Sequence, residues 1–229
     1  DMTGKTIYAG FIEPFLEAKT DAADSSQTIL RNWNEKVHPE FSSLYGYSPE
    51  EKDLKELRSL GFTMAQVVPP SGIFQGKSSL IHLGNWSAAS VIKQEVPMQV
   101  MSFEHGGWGD SIYPNSLLGA IALIRQTFLD AQWYKNAGET YSRFPNENEQ
   151  PELDESLAAL GDFLKSGQPF CFRTNNELGA LRSGKIAEEF DLPLWLKGSG
   201  YEYRRLDAIK ELKPFVILPI SFPEAPDVS

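Results

Sequence analysis

The sequence has very little cysteine and histidine, no excess of positive charge and no long apolar run. One of its 229 residues is cysteine, Cys171, and three are histidine: His38, His82 and His105. A single cysteine excludes an intrachain disulfide framework and a thiolate metal cluster. The net charge of −10 argues against nucleic acid, which binds mainly through Lys and Arg at its phosphates. No apolar stretch reaches the roughly 20 residues of a membrane span.

The rest of the composition is that of an ordinary globular protein, with 41% hydrophobic and 23% charged residues. The length is sufficient for one substantial domain with a sizeable core. The chain begins at Asp1 and enters an apolar run within a few residues, so we expect a piece of a longer polypeptide. No signal peptide is visible, and the compartment stays open between cytoplasm and periplasm.

The first apolar run, residues 6–12, is short and β-branched, which predicts a buried strand. Pro14 lacks a backbone N–H and is expected to end the pairing. The strand should therefore deliver Glu13, Phe15 and Glu17 to its carboxyl edge. In parallel α/β sheets and barrels, that edge is where functional residues are placed.

The order of the later elements favours an α/β fold with a parallel sheet. Further strands are predicted at 63–68, 98–103, 170–173, 194–197 and 215–220, and helices at 48–60, 115–136, 154–165, 176–190 and 201–212. Most strands follow a helix, which is typical of a parallel sheet or barrel. A (β/α)8 barrel has eight strands and typically about 250 residues. Six strands predict a partial TIM-barrel-like sheet whose closing strands lie outside this sequence.

Two connections stand out within this single domain of residues 1–229. Residues 19–47 form a long polar and aromatic loop without clear periodicity, which is unusual in a compact domain. Residues 70–95 are expected to be an insertion at a strand end, with a small hairpin from 78–83 and 88–92.

Several segments resemble one enzyme superfamily. Gly10-Phe11-Ile12-Glu13-Pro14-Phe15-Leu16-Glu17 resembles the opening strand of amidohydrolases, in which two histidines bind metal. The segments 57–63 and 67–78 resemble the second barrel unit of imidazolonepropionase-like members, and 113–126 a helix start in that group. Residues 32–34 and 38–40 are similar to large bacterial members that carry two amidohydrolase-like halves.

The resemblance implies metal-ligand positions at Phe15, Glu17, Arg173 and Gly198. None of these residues is histidine, and a catalytic zinc site needs about three converging ligands. Arg173 and Lys197 would place positive charge where the family's zinc or other divalent metal lies, and Glu17 is expected to pair with either of them. We therefore expect no metal or cofactor in this segment. The implied function is a non-catalytic half of a metal-dependent hydrolase that acts on non-peptide carbon–nitrogen bonds.

On this interpretation the partners are the remaining barrel strands and the second half of the parent chain. An alternative is an active hydrolase with an atypical site made from Glu13, Glu17 and His105. His105 follows Glu104 at the end of a strand, and such a pair can act as a general base.

A third hypothesis is a module that binds a small anion or another small molecule. Gly198-Ser199-Gly200 lies between a strand and a helix, and Arg204 could assist at that helix start. The segment 71–78 nearly matches a phosphate-binding loop, but it does not lead into a long helix, so a surface loop with a solvated Lys77 is expected. Cys171 lies inside a strand and is expected to pack as a small hydrophobe.

Overall fold

The computed structural model describes residues 3–18, 32–44, 47, 49–84, 98–107 and 113–220. The strands are β1 (Phe11–Glu17), β2 (Phe62–Val68), β3 (Phe74–Lys77), β4 (Ser79–His82), β5 (Gln99–Ser102), β6 (Phe170–Arg173), β7 (Leu194–Lys197) and β8 (Phe215–Ile217). The helices are α1 (Glu51–Ser59), α2 (Leu117–Arg143), α3 (Glu155–Ser166), α4 (Glu177–Glu189) and α5 (Leu206–Glu211), the last preceded by a 3-10 turn at Glu202–Arg205.

The strands form two sheets. The first has the order β1-β2-β4, with β1 parallel and β4 antiparallel to β2. The second has the order β3-β5-β6-β7-β8, in which β5 to β8 are all parallel and β3 is antiparallel to β5. The predicted α/β class with parallel strands is confirmed.

One ribbon, residues 74–82, belongs to both sheets. Its first part, β3, pairs with β5, and its second part, β4, pairs with β2. Ser78 lies between the two parts, and its Oγ accepts hydrogen bonds from Gln66 Nε2 and from the Met98 backbone N–H, both at 2.7 Å. The sheets are therefore continuous through this antiparallel ribbon.

The hydrophobic core explains how the ribbon is held. The largest buried cluster packs the second sheet against α2, α3 and α4, with Phe128 in ring contact with Phe74, Phe170 and Phe190. A separate cluster packs residues from both sheets together: Phe15, Val68, Met98, Val100, Cys171 and Ile217. The two sheets thus share one apolar face.

The three long helices begin where their capping residues predict. Ser116 and Asn176 each accept a hydrogen bond from the backbone N–H three residues later, and Asp154 does the same for Leu157. Residue 48, where the first helix was predicted to begin, lies outside the described residues. The last helix was predicted at 201–212. Its first turn is instead a 3-10 turn, and only the short α5 that follows is an α-helix.

The first strand is displaced from its predicted position. We expected a buried strand at 6–12 that ends at Pro14, but β1 runs from Phe11 through Pro14 to Glu17, and Phe11 and Ile12 are exposed. Its register with β2 shifts between Glu13 and Leu16, so the missing N–H of Pro14 removes no regular ladder bond. Glu13 Oε1 instead accepts the N–H of Phe15 at 3.1 Å.

The predicted insertion at 70–95 is also different in the structure. The surface loop expected at 71–78 is wrong, because Ile73 and Phe74 are fully buried and residues 74–77 form β3. The first strand of the expected hairpin, 78–83, contains β4, which pairs with β2. The second strand, 88–92, lies outside the described residues. Within the expected loop at 19–47, the described residues contain two isolated bridges, from Val37 to Phe74 and from Ser42 to Lys77, and no named helix or strand.

The two outer strands, β1 and β8, do not pair with each other, so the described strands form no closed barrel. Several large apolar side chains on and beside them are exposed: Phe11, Ile12, Phe215, Leu218 and Ile220. Among the described residues, the helices are too short or too polar to cross a membrane.

Candidate functional site

The carboxyl ends of β1, β6 and β7 bring four of the expected site residues together. Glu17 Oε1 lies 2.7 Å from Arg173 Nη2, and Arg173 Nη1 donates a 2.7 Å hydrogen bond to the carbonyl oxygen of Pro70. The Phe15 ring lies beneath two cations, with its centroid 5.7 Å from Arg173 Cζ and 5.8 Å from Lys197 Nζ. The pairing expected for Glu17 is thus made with Arg173.

These side chains do not fit a divalent cation. Glu17 is the one carboxylate of the group, and one of its oxygens already accepts a hydrogen bond from Arg173. Phe15 has no donor atom for a metal, and the ammonium of Lys197 is a second positive charge at the same place. No group of three or more His, Cys, Asp and Glu suited to a metal occurs among the described residues.

Gly198 and Gly200 belong to a different arrangement, centred on Glu202. One carboxylate oxygen of Glu202 accepts from the backbone N–H and the hydroxyl of Ser199, at 2.7 and 2.9 Å, and the other accepts from the N–H of Gly200 at 2.8 Å. A Cβ at Gly198 would lie 3.2 Å from this carboxyl group, so a side chain there would press against Glu202. An external anion would have to displace Glu202 from these donors.

The environment keeps Glu202 ionised. Burial alone would raise its pKa, but the N–H groups of Ser199, Glu202 and Gly200 and the Ser199 hydroxyl together outweigh burial and hold the pKa below its ordinary value. Arg204, the cation expected to assist an anion, instead stacks on the ring of Tyr201 at 4.6 Å. Glu202 was not predicted as a site residue, although it lies only two residues after Gly200.

Glu104 and His105 do not form the expected acid–base pair. Glu104 accepts from Lys36 Nζ at 3.0 Å and from the N–H of Gly72 at 2.8 Å. Burial would raise the pKa of Glu104, but the Gly72 N–H, Lys36 and the more distant Arg173 together lower it. His105 is exposed, and its Nδ1 lies 2.8 Å from the carbonyl oxygen of Gly106.

The three residues of the atypical-site hypothesis therefore have separate partners. Glu13 is bonded to the N–H of Phe15, Glu17 to Arg173, and His105 contacts its own loop. No hydrogen bond or ion pair connects them within the part of the chain that the structure describes.

A cavity of about 330 Å³ lies at the carboxyl ends of β5 and β6, beside the start of α4. Three lining residues come from β3 and the end of β5, here called the acceptor wall: Gln75, Ser102 and Glu104. Three come from the end of β6 and from α4, here called the donor wall: Arg173, Asn175 and Arg182. Of these six residues only Arg173 was predicted as a site residue, and Glu104 was considered only as a neighbour of His105, because the two walls come from segments about 70 to 100 residues apart.

Comparison with known proteins is informative mainly about the fold. No family model matches this chain, and no curated protein matches it. Among solved structures, it is similar to a crystal structure of an amidohydrolase from Thermotoga maritima MSB8, with a TM-score of 0.74 and 20% sequence identity. The match covers 93% of this chain and 57% of that chain, so this chain spans little more than half the length of that neighbour. The two proteins share a fold.

Proposed function

We propose that this chain is a non-catalytic domain of amidohydrolase-like fold that belongs to a longer metal-dependent hydrolase acting on non-peptide carbon–nitrogen bonds. The fold shared with an amidohydrolase supports the scaffold. The ion pair between Glu17 and Arg173 carries the proposal that this domain has no catalytic metal, because it occupies strand ends that the resemblance assigns to metal ligands.

The chemistry of the strand ends supports this proposal further. Each catalytic zinc site needs about three neutral or anionic donors that converge on one point. Here the three strands provide one carboxylate, one aromatic ring and two cations: Glu17, Phe15, Arg173 and Lys197. The hydrogen bond from Arg173 to the Pro70 carbonyl fixes the guanidinium in this position.

The open edges of the sheets support a role as part of a larger assembly. A groove of about 640 Å³ lies between the outer strands, and its apolar lining includes Phe11, Ile12, Ile217, Leu218 and Ile220. Unpaired strand edges with exposed apolar side chains favour the addition of further strands. We propose that the groove receives the strands that complete a (β/α)8 barrel, supplied by the parent chain.

Metal analysis tests the absence of a metal site. The purified chain is incubated with an equimolar amount of zinc, dialysed against metal-free buffer, and analysed for zinc content beside a known zinc enzyme treated in the same way. We expect the zinc enzyme to retain its metal and this chain to retain none. One tightly held zinc ion per chain would overturn the proposal, whichever residues hold it.

A further inference from the structure

The cavity between the acceptor wall and the donor wall has the properties of a binding site for a small polar molecule. Its volume of about 330 Å³ lies at the lower end of the roughly 300–1,000 Å³ that ligand pockets occupy. Its lining is mostly polar, with the Glu104 carboxylate on the acceptor wall and the guanidinium groups of Arg173 and Arg182 on the donor wall. Such a lining selects a ligand with two different polar ends.

The acceptor wall contains an oxygen whose hydrogen-bonding capacity is unused. Gln75 is 2% exposed and lines the cavity, and its Nε2 donates to the carbonyl oxygen of Gly72 at 3.1 Å. Its Oε1 has no hydrogen-bond partner in the described part of the chain. A buried polar atom without a partner costs about 1–3 kcal/mol. Because Oε1 has almost no exposed surface, a ligand can donate to it once the Gln75 side chain turns toward the cavity, and this hydrogen bond would recover the cost.

Glu104 adds negative charge to the same wall. Its two oxygens accept from Lys36 and Gly72, which hold the carboxylate in place and favour its ionised form. Each carboxylate oxygen has a second lone pair, so Glu104 can accept a further hydrogen bond. An ammonium or amide group of a ligand is suited to this position, and a second anion is not.

The donor wall contains a cation without a partner. Arg182, half-buried on α4, makes no hydrogen bond or ion pair with any residue that the structure describes. The start of α4 lies beside it, where Asn176 caps the N–H of Gly179 and earlier N–H groups of the first turn have no helical partner. A guanidinium next to a helix N-terminus favours a carboxylate, which it can bind in a bidentate manner.

We propose that this cavity binds a small zwitterion of the free amino acid class, with its carboxylate at Arg182 and its amino group between Gln75 and Glu104. The proposal goes beyond the proposed function and does not depend on whether the chain carries a metal. A doubly charged phosphate is disfavoured because Glu104 faces the cavity, and an apolar ligand would leave both walls unpaired.

Thermal unfolding in the presence of each common amino acid, at about 10 mM, tests the proposal. An amino acid present at about ten times its Kd should raise Tm by about 3–6 °C. Acids without an amino group, such as acetate and glutarate, and amines without a carboxylate, such as ethanolamine, should raise Tm less. If no amino acid changes Tm, or if the acids alone are equally effective, the proposal is wrong.

Two variants and a matched control locate the binding. Arg182→Gln should weaken binding of the stabilising amino acid about tenfold or more, whereas Lys185→Gln, which removes an exposed cation from the same helix, should not. Gln75→Met should also weaken binding. Without ligand, its Tm should stay within about 4 °C of the wild-type Tm, because the substitution also removes the unpaired buried oxygen. Equal binding by wild type, Arg182→Gln and Gln75→Met would place the ligand elsewhere and overturn the assignment.

Discussion

Replacing Glu202 by glutamine should destabilise the protein strongly, although the two side chains have nearly the same shape. The carboxylate accepts three hydrogen bonds, from the Ser199 N–H, the Ser199 hydroxyl and the Gly200 N–H. Glutamine has one acceptor oxygen, so its amide NH₂ would face a donor. We expect a loss of about 2–3 kcal/mol in the free energy of unfolding, which lowers Tm by about 4–12 °C.

The pH dependence of this loss tests its electrostatic origin. Because the folded state holds the pKa of Glu202 below its ordinary value of 4.5, the carboxylate stabilises the fold above that pH. The stabilisation is lost as the pH falls through the lowered value. The difference between wild type and Glu202→Gln should therefore be full at neutral pH and should shrink below about pH 4.5.

Urea unfolding of both proteins across this pH range measures the difference directly. The control is Glu211→Gln, which changes an exposed carboxylate at the end of α5 and should alter stability by less than about 0.5 kcal/mol. A Glu202→Gln variant as stable as wild type, or a difference that does not change with pH, would refute this reasoning.

Two further predictions concern the strand ends and the core. A double-mutant cycle with Glu17→Gln and Arg173→Met should give a coupling energy of at most about 1 kcal/mol, because the side chain of Glu17 is 51% exposed; a coupling above about 3 kcal/mol would contradict a solvated pair. Burial raises the pKa of Cys171 to about 12, so the native chain should not react with a thiol reagent near pH 8 and the unfolded chain should. Rapid labelling of the native chain would contradict the buried position.

The sequence was most informative where structure depends on neighbouring residues. The helix α2 was predicted at 115–136 because its apolar residues recur at helical spacing, although it extends to Arg143. The positions of α3 and α4 were also predicted, and each begins at a capping side chain. The parallel strands β6 and β7 were predicted because they are short apolar runs between helices. In both cases the signal is contained within about 20 residues of sequence.

The pairing of the ribbon from β3 to β4 was not predicted, because its fold depends on distant residues: β4 falls within the segment 78–83 expected as one strand of a hairpin, but β3 was expected to be part of a surface loop. Gly72 and Gly76 have positive φ, and in sequence they resemble loop glycines. At Gly76 a Cβ would lie 2.5 Å from the carbonyl oxygen of Phe41, so the glycine is required by the close approach of a segment about 35 residues earlier. That contact cannot be read from local pattern.

The candidate site also has one part that could be predicted from the sequence and one part that could not. The pairing of Glu17 with Arg173 could be expected, because parallel strands align their carboxyl ends. The cavity could not be expected from the sequence, because Gln75, Glu104 and Arg182 become neighbours only when the ribbon, β5 and α4 have packed. Exposed or half-buried charges such as Arg182 also look like ordinary surface residues in a sequence.

The charges at the strand ends link the two proposals. A divalent cation about 6 Å from the Lys197 ammonium would be repelled by roughly 5–6 kcal/mol at an effective dielectric constant of about 20, and Arg173 adds to this. Glu17 compensates for only one of the two positive charges. The excess of positive charge that opposes a metal ion at these strands favours a carboxylate nearby, and Arg173 lines the cavity that also contains Arg182. A domain that has cations where metal ligands are expected is thus suited to bind the anionic end of a small molecule at the same edge of the sheet.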